Sequence, residues 1–344
     1  MLHHPWGSLI NQDVVMAIEA TALPPMSTVR GRIAAFSRWQ QAVARAAIRA
    51  LQALGISSVD LLCVIERGIL VTTGVPLRPS RWDSMTINDK VTYRRLTSRS
   101  PRLVTCSDKL AMRAWVTAEL GPASVVPLLG VLDEASELDA VEGPCMLKGN
   151  HGSRMHRSVE EPGPLAEGVR LEVEPWFSID YSARYLEWSY GNARRVVLVE
   201  ELLDASDLVD IKIHTFAGVP SVIEIHGDPH GRLWWMFDSS WKLLGSYEHP
   251  EITRSLPERP PDLETMLEQA SILGRDDGYL RVDFMATSTS TFVGELTVYP
   301  GAGFSPITPS TLDALIGQHW AAPERNDLRL SALLRPQRHR DGGG

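Results

Sequence analysis

Asp283 and Glu295 are the residues from which chemistry can first be read. They lie in LRVDFMATSTSTFVGELTVYPGAGF (280–304), where Leu280–Met285 and Phe292–Val298 each alternate apolar and polar residues about a Thr/Ser-rich turn. That alternation predicts a β-hairpin. Side chains two apart share a strand face, so Arg281 goes with Asp283 and Glu295 with Thr297. Pairing about the turn brings Asp283 and Glu295 together. Two carboxylates so placed repel unless a cation stands between them. Mg²⁺ takes oxygen ligands of this kind and shares them with a nucleotide's phosphates. In isolation such a pair is more often two solvated acids on an exposed face, so the rest of the chain must decide.

Cations follow the same logic. Lys148 ends the apolar run Pro144–Gly149 and precedes Asn150-His151-Gly152-Ser153. A lysine at a strand end reaches phosphate oxygens as a point charge, and small residues after it let backbone N–H groups close over phosphates. The lysine precedes the glycines, so this is not the P-loop pattern. Asp108-Lys109 at a helix start offers a second cation, and Asp210-x-Lys212 a third. Glu200-Glu201-Leu202 closes an apolar run where an adenine could lie along backbone groups and a carboxylate could accept from ribose hydroxyls.

The elements that must position these residues are a mixture of helices and hairpins, which predicts an α+β or mixed α/β class. Helices are expected over Val29–Leu54, Lys109–Leu120, Trp176–Asn192, Pro261–Leu273 (capped by Asp262) and Ser310–His319. Strands are expected at Leu103–Cys106, Val125–Val131, Pro144–Gly149, Arg195–Leu203, Asp210–Phe216, Pro220–His226 and Leu233–Phe237, and Val59–Val71 reads as a buried strand or short helix. The prolines of EEPGP make 154–174 a loop or flap. The 344 residues carry 44% hydrophobic and 22% charged residues, the balance of a soluble globular protein. A net charge of −8 argues against nucleic acid or an anionic membrane as partner. Cys63, Cys106 and Cys145 are widely spaced with no CxxC, which suits neither zinc nor a disulfide framework and fits a reducing cytoplasm. No secretory signal or transmembrane segment is expected.

The order of these blocks resembles the ATP-grasp superfamily, and more closely the TupA-like ATP-grasp family. The matching blocks are Ile87-Asn88-Asp89-Lys90, Ser107-Asp108-Lys109, Val126–Val131, Met146–Ser153, Val199–Leu202, Leu280–Asp283, and Gly294–Thr297 with Pro300-Gly301 and Gly303-Phe304. The resemblance covers roughly 80–310. It implies two α+β lobes gripping ATP, with a preceding lobe (86–145) and the ATP-grasp lobes (146–320); outside them the residues themselves read as an N-terminal helical segment (1–85) and a mobile basic tail (321–344). It also implies that Lys109, Lys148 and Lys212 hold phosphates, that Asn150, His151, Gly152 and Ser153 form a lid, and that Glu200, Glu201 and Leu202 form the adenine and ribose hinge. Asp283, Glu295 and Thr297 would be Mg²⁺ ligands, with Lys148 and Arg281 acting on the transferring phosphoryl group. The implied reaction is ATP- and Mg²⁺-dependent ligation of a carboxylate to an amine acceptor, a glycan-linked one included, in cell-envelope polysaccharide or secondary-metabolite biosynthesis. The alternatives are a kinase for a hydroxyl, or a silent ATP-binding protein. Two departures stand out: Thr297 where many ATP-grasp enzymes have Asn, and Arg154 where glycine is common.

Overall fold

The computed structural model describes residues 79–321, apart from 205–207, 228–232, 249–254, 306 and 308–309. The expected elements Val29–Leu54 and Val59–Val71, and the tail beyond 321, lie outside the described residues.

Two antiparallel sheets organise the molecule, each with its own apolar core. The class is α+β. The first sheet contains β1 (Leu128–Leu132), β2 (Glu142–Gly149), β3 (His156–Pro164) and β4 (Val197–Glu200) in the order β1-β4-β2-β3. Leu147, Val159, Val197 and Val199 form its core with Val169 and Val173 of a short helix, Glu167–Val173. The second sheet contains β5 (Val209–Phe216), β6 (Val219–His226), β7 (Leu233–Asp238), β8 (Leu243–Glu248), β9 (Leu280–Ala286) and β10 (Thr291–Thr297) in the order β10-β9-β5-β6-β7-β8. One face is apolar: Ile211, Ile213, Ile223, Ile225, Val282 and Phe284 pack with the helix Leu263–Gly274. Its other face carries the charged residues.

The sequence expectations needed four corrections. Leu103–Cys106 is helical, within α1's successor in the chain: α1 spans Ile87–Thr97 and α2 spans Pro101–Ser107. Ser100 caps α2 and Pro101 takes its first position, where a missing N–H costs nothing. The stretch 154–174 is largely ordered as β3 and the helix after it. β3 is the edge strand of its sheet, which is where Pro162 and Pro164 can be tolerated. Trp176–Asn192 is broken into a 3-10 turn, a short helix (Tyr181–Tyr185) and another 3-10 turn. Asp262 stands at the start of Leu263–Gly274 without a side-chain cap bond. The β5–β6 turn has positive φ at both Ala217 (50°) and Gly218 (76°), as a twisted two-residue hairpin requires.

The Asn88-Asp89-Lys90 block turns out to be structural. Thr86 and Asp89 form a capping box at the start of α1. Lys90 Nζ donates to the carbonyls of Gly317 (2.8 Å) and Trp320 (2.7 Å), at the end of the helix Ser310–Gln318. Burial lowers its pKa to about 8. Asn88 donates to both oxygens of Asp313, from its backbone at 3.2 Å and its amide at 3.1 Å. The two ends of the described chain are thereby clamped together beneath the second sheet's lobe.

Burial raises Asp313 to about 6, against 3.8 for the free group. Its contribution to stability is therefore fully present below 3.8 and lost as pH rises toward 6. Chemical unfolding across pH 4–7 is expected to show this fall in the wild type and a flatter profile in Asp313→Asn. Parallel profiles would contradict the assignment.

Candidate functional site

Cross-strand register puts the polar face of the second sheet in two rows. Glu224 (β6) lies opposite Lys212 (β5), Lys212 opposite Asp283 (β9), and Asp283 opposite Glu295 (β10). In the next row His214 lies opposite Arg281, and Arg281 opposite Thr297. A bulge at Gly294 sets this register. Val293 pairs with Phe284 on the core side, and the extra residue lets Glu295 pair with Asp283 on the polar side. The hairpin expected from the sequence is present with Asp283 and Glu295 adjacent.

Asp283 is held in place by its cationic neighbours. Arg281 grips it with a two-pronged contact, Nε to Oδ1 at 2.7 Å and Nη2 to Oδ2 at 2.6 Å. Burial alone would pull the Arg281 guanidinium down, but the charge and hydrogen bonds of Asp283 hold it above its ordinary value. Thr297 Oγ1 donates to Asp283 Oδ2 at 3.3 Å, and Lys212 Nζ stands 3.8 Å from the same oxygen while also pairing with Asp210. Glu295 makes no hydrogen bond or ion pair among the described residues, although the charge of Lys109 faces it.

The first sheet presents a second charged group. Lys148 Nζ meets Glu200 Oε2 at 2.7 Å, and Arg113 meets Glu200 Oε1 at 2.7 Å. Lys109 opens α3 (Lys109–Leu120), capped by Asp108, and donates to the Gly152 carbonyl at 2.7 Å. Burial pulls the Lys109 ammonium below its ordinary value. Glu295 and Glu200 oppose that shift and Lys148 adds to it. Lys109 thus feels groups of both sheets at once.

The turn between β2 and β3 is anchored more firmly than a free lid. Asn150 is fully buried, and its amide accepts from Leu110 N (2.9 Å) and donates to the Arg194 carbonyl (2.7 Å). Both amide atoms are engaged, so Asn150 holds the turn to α3. His151 Nε2 is 3.1 Å from the Ile179 carbonyl, which selects the Nε2–H tautomer. Its buried Nδ1 has no hydrogen-bond partner among the described residues, and burial lowers the ring's pKa. Gly152 has no room for a side chain, since a Cβ would meet Met155 Sδ at 2.4 Å and Tyr181 Cδ2 at 3.0 Å.

Among the residues expected from sequence, Lys109, Lys148 and Glu200 meet at the first sheet, and Lys212, Arg281, Asp283, Glu295 and Thr297 meet at the second. Glu201 is exposed at the strand end, its backbone N–H bonded to the Pro127 carbonyl at 3.0 Å, and Leu202 is half-buried beside it. Sequence reasoning missed Arg113, Glu224 and His214. Arg113 had a readable signal, because it lies one helical turn after Lys109. Glu224 accepts from His214 at 3.2 Å and from His226 at 2.5 Å. Burial would raise its carboxyl, but those two contacts hold it well below the usual carboxylate range.

The donor set suits Mg²⁺. No group of three or more His, Cys, Asp and Glu is gathered around a possible ion among the described residues. Two carboxylates are what Mg²⁺ takes when substrate phosphates and water complete its shell. Glu295 has both oxygens to offer, and Asp283 keeps lone pairs beyond those facing Arg281.

Comparison with known proteins adds the family. The model of the TupA-like ATP-grasp family matches residues 89–321, about two thirds of the chain. No curated protein matches. Among solved structures, the chain is similar to the D-alanine–D-alanine ligase from Bacillus anthracis complexed with ATP, at 19% identity and a TM-score of 0.35. That likeness covers 62% of this chain and 64% of the ligase, a little under two thirds of its length. The D-alanine–D-alanine ligase from Helicobacter pylori is similar at 16% identity, 69% of each chain and a TM-score of 0.36. The VanG D-Ala:D-Ser ligase from Enterococcus faecalis is similar at 14% identity, 69% of this chain, 64% of that one and a TM-score of 0.39. The family match spans both sheets and every charged group described above, and the chain belongs to the TupA-like ATP-grasp family.

Proposed function

We propose that this protein is an ATP- and Mg²⁺-dependent ligase that joins a carboxylate to an amine through an acyl-phosphate. The observation that carries the reading is the position of Lys109. It answers to Lys148 and Glu200 of one sheet and to Glu295 of the other, so a cation of one lobe faces one carboxylate of the pair on the other. A triphosphate with its metal fits a cleft charged in this way.

In this reading Lys109, Lys148 and Lys212 hold phosphate oxygens. Glu200 is already held by Lys148 and Arg113, so Glu201, exposed at the strand end, offers the carboxylate for ribose hydroxyls, while backbone groups through Leu202 receive the adenine. His151, Gly152 and Ser153 close over the phosphates, with Asn150 anchoring their turn. Asp283, Glu295 and Thr297 would hold Mg²⁺, which when bound supplies positive charge to the phosphate oxygens. Arg281, fixed by Asp283, faces the charge that builds up as the γ-phosphoryl group passes to the substrate carboxylate. The neutral amine then attacks the acyl carbon, the C–N bond forms, the nitrogen's surplus proton passes to solvent, and inorganic phosphate leaves with the C–O bonding electrons. A role in cell-envelope polysaccharide or secondary-metabolite biosynthesis, in the cytoplasm, is the setting we infer. No helix among the described residues is long and apolar enough to cross a membrane.

Titration calorimetry with a non-hydrolysable ATP analogue is expected to show Mg²⁺-dependent binding in the wild type. The Asp283→Asn/Glu295→Gln variant should lose about tenfold or more, as expected for removal of charged ligands. Equal affinity in the two proteins would refute the metal assignment.

Hydroxylamine intercepts acyl-phosphates as hydroxamates. Wild type given ATP, Mg²⁺ and a panel of carboxylates is expected to form a hydroxamate with one of them, and Lys148→Met to do so about 10²-fold or more slowly. ADP production that depends on an alcohol and forms no hydroxamate would identify a kinase instead.

A further inference from the structure

Glu224 has no part in the nucleotide site as assigned above, yet it stands in the same row of the sheet. On β6 it lies opposite Lys212 of β5, which lies opposite Asp283 of β9. Two strand spacings, about 10 Å, therefore separate it from Asp283. The charges of Glu224 and Arg281 act on each other across this face. His226, two residues on, shares the face with Glu224, and the two are in contact, Nε2 to Oε1 at 2.5 Å.

A line of hydrogen bonds runs outward through these residues. The hydroxyl of buried Tyr279 meets His214 Nδ1 at 3.0 Å, His214 Nε2 meets Glu224 Oε2 at 3.2 Å, and Glu224 Oε1 meets His226. Side-chain exposure rises along the line from 4% at His214 to 13% at Glu224 and 25% at His226, so its outer end is the accessible one. Burial would raise the Glu224 carboxyl, but the two imidazoles hold it well below the usual carboxylate range, so it is ionised and can only accept. Both rings must then carry a proton on Nε2. In the neutral ring of His226 that leaves the lone pair on Nδ1, which makes no hydrogen bond among the described residues. A carboxylate that fixes one nitrogen of an imidazole in this way sets up the other as a proton acceptor and stabilises the imidazolium that results.

Amide formation needs such an acceptor. A nitrogen newly bonded to the acyl carbon carries a surplus proton and must lose it for the amide to form. Lys148 and Lys212 are paired with carboxylates and Arg281 with Asp283, so none of them offers a lone pair. Resting on the ligase reading above, we propose that His226 is the general base for attack by the amine, with Glu224 as its positioning residue. As the C–N bond forms, the surplus proton passes from nitrogen to His226 Nδ1, and phosphate leaves with the C–O bonding electrons. The imidazolium, held by Glu224, then gives the proton to solvent and the neutral ring is restored.

The test compares two kinds of nucleophile on the full-length protein with ATP, Mg²⁺ and a panel of carboxylates. One is hydroxylamine, and the other a panel of primary aliphatic amines that includes glycinamide and ethylamine. Hydroxylamine is a much weaker base than an aliphatic amine, so its adduct sheds a proton to water and depends less on His226. The ratio of amide to hydroxamate is expected to fall about 10²-fold or more in His226→Gln, whose amide nitrogen can still donate to Glu224. Glu224→Gln is expected to lower the same ratio by a smaller factor. Should His226→Gln fail to fold, His226→Ala is expected to show the same fall and to regain amide formation when imidazole is added. An unchanged ratio, whether both products persist or both fall together, would overturn the base and leave the ligase reading standing. Hydroxamate from wild type with no amide from any amine would remove aliphatic amines as acceptors and overturn the base too. No hydroxamate from folded wild type that binds the nucleotide analogue would overturn the ligase reading, and the base with it.

Discussion

Two carboxylates on paired strands cannot sit opposite one another without compensating charge, and Asp283 and Glu295 are placed so by the β9–β10 register. Much of the second sheet's polar face answers this constraint. Arg281 grips Asp283 from two residues away, Lys212 approaches from β5, and Thr297 donates from β10. Among the described residues Glu295 makes no hydrogen bond or ion pair, and that is where a further cation belongs. The bulge at Gly294 is the local device that produces the arrangement, because regular pairing would have turned Glu295 away from Asp283.

The first sheet supplies the opposite sign. Glu200 is consumed in orienting Lys148 and Arg113, which leaves the group cationic toward the cleft. Lys109 links the two, and the reason lies in the cap of its helix. Asp108 accepts from Ala111 N and Arg194 N, while Asn150 accepts from Leu110 N. The start of α3 is thus stitched to the ends of β2 and β4, so Lys109 is aimed by backbone contacts rather than by chance. Lys90, in an equally polar block, serves only to tie α1 to the last described helix. Similar residue types at similar depth do different work, and the atoms they touch decide which.

Much of the site was legible in sequence because strand alternation fixes faces. Period two puts Arg281 with Asp283 and Glu295 with Thr297 within their own strands, while the Gly294 bulge and the β5–β9 register bring the two pairs and Lys212 onto one face. Elements that depend on longer-range packing were not legible. β3 carries two prolines that argue against a strand, and only its edge position permits them. The helix at Pro101–Ser107 was signalled by Ser100-Pro101, but its short apolar run reads equally well as a strand. Asn150 looked like a phosphate contact from its place after Lys148; its amide instead serves the backbone.

The most direct test of a cleft closed between Lys109, Lys148 and the Asp283–Glu295 pair is a crystal structure with Mn²⁺ and a non-hydrolysable ATP analogue, using the anomalous signal of manganese. The account requires the metal peak within coordination distance of Asp283 and Glu295, with the triphosphate against Lys109, Lys148 and Lys212. A nucleotide seated elsewhere, or a metal bound away from that pair, would contradict it.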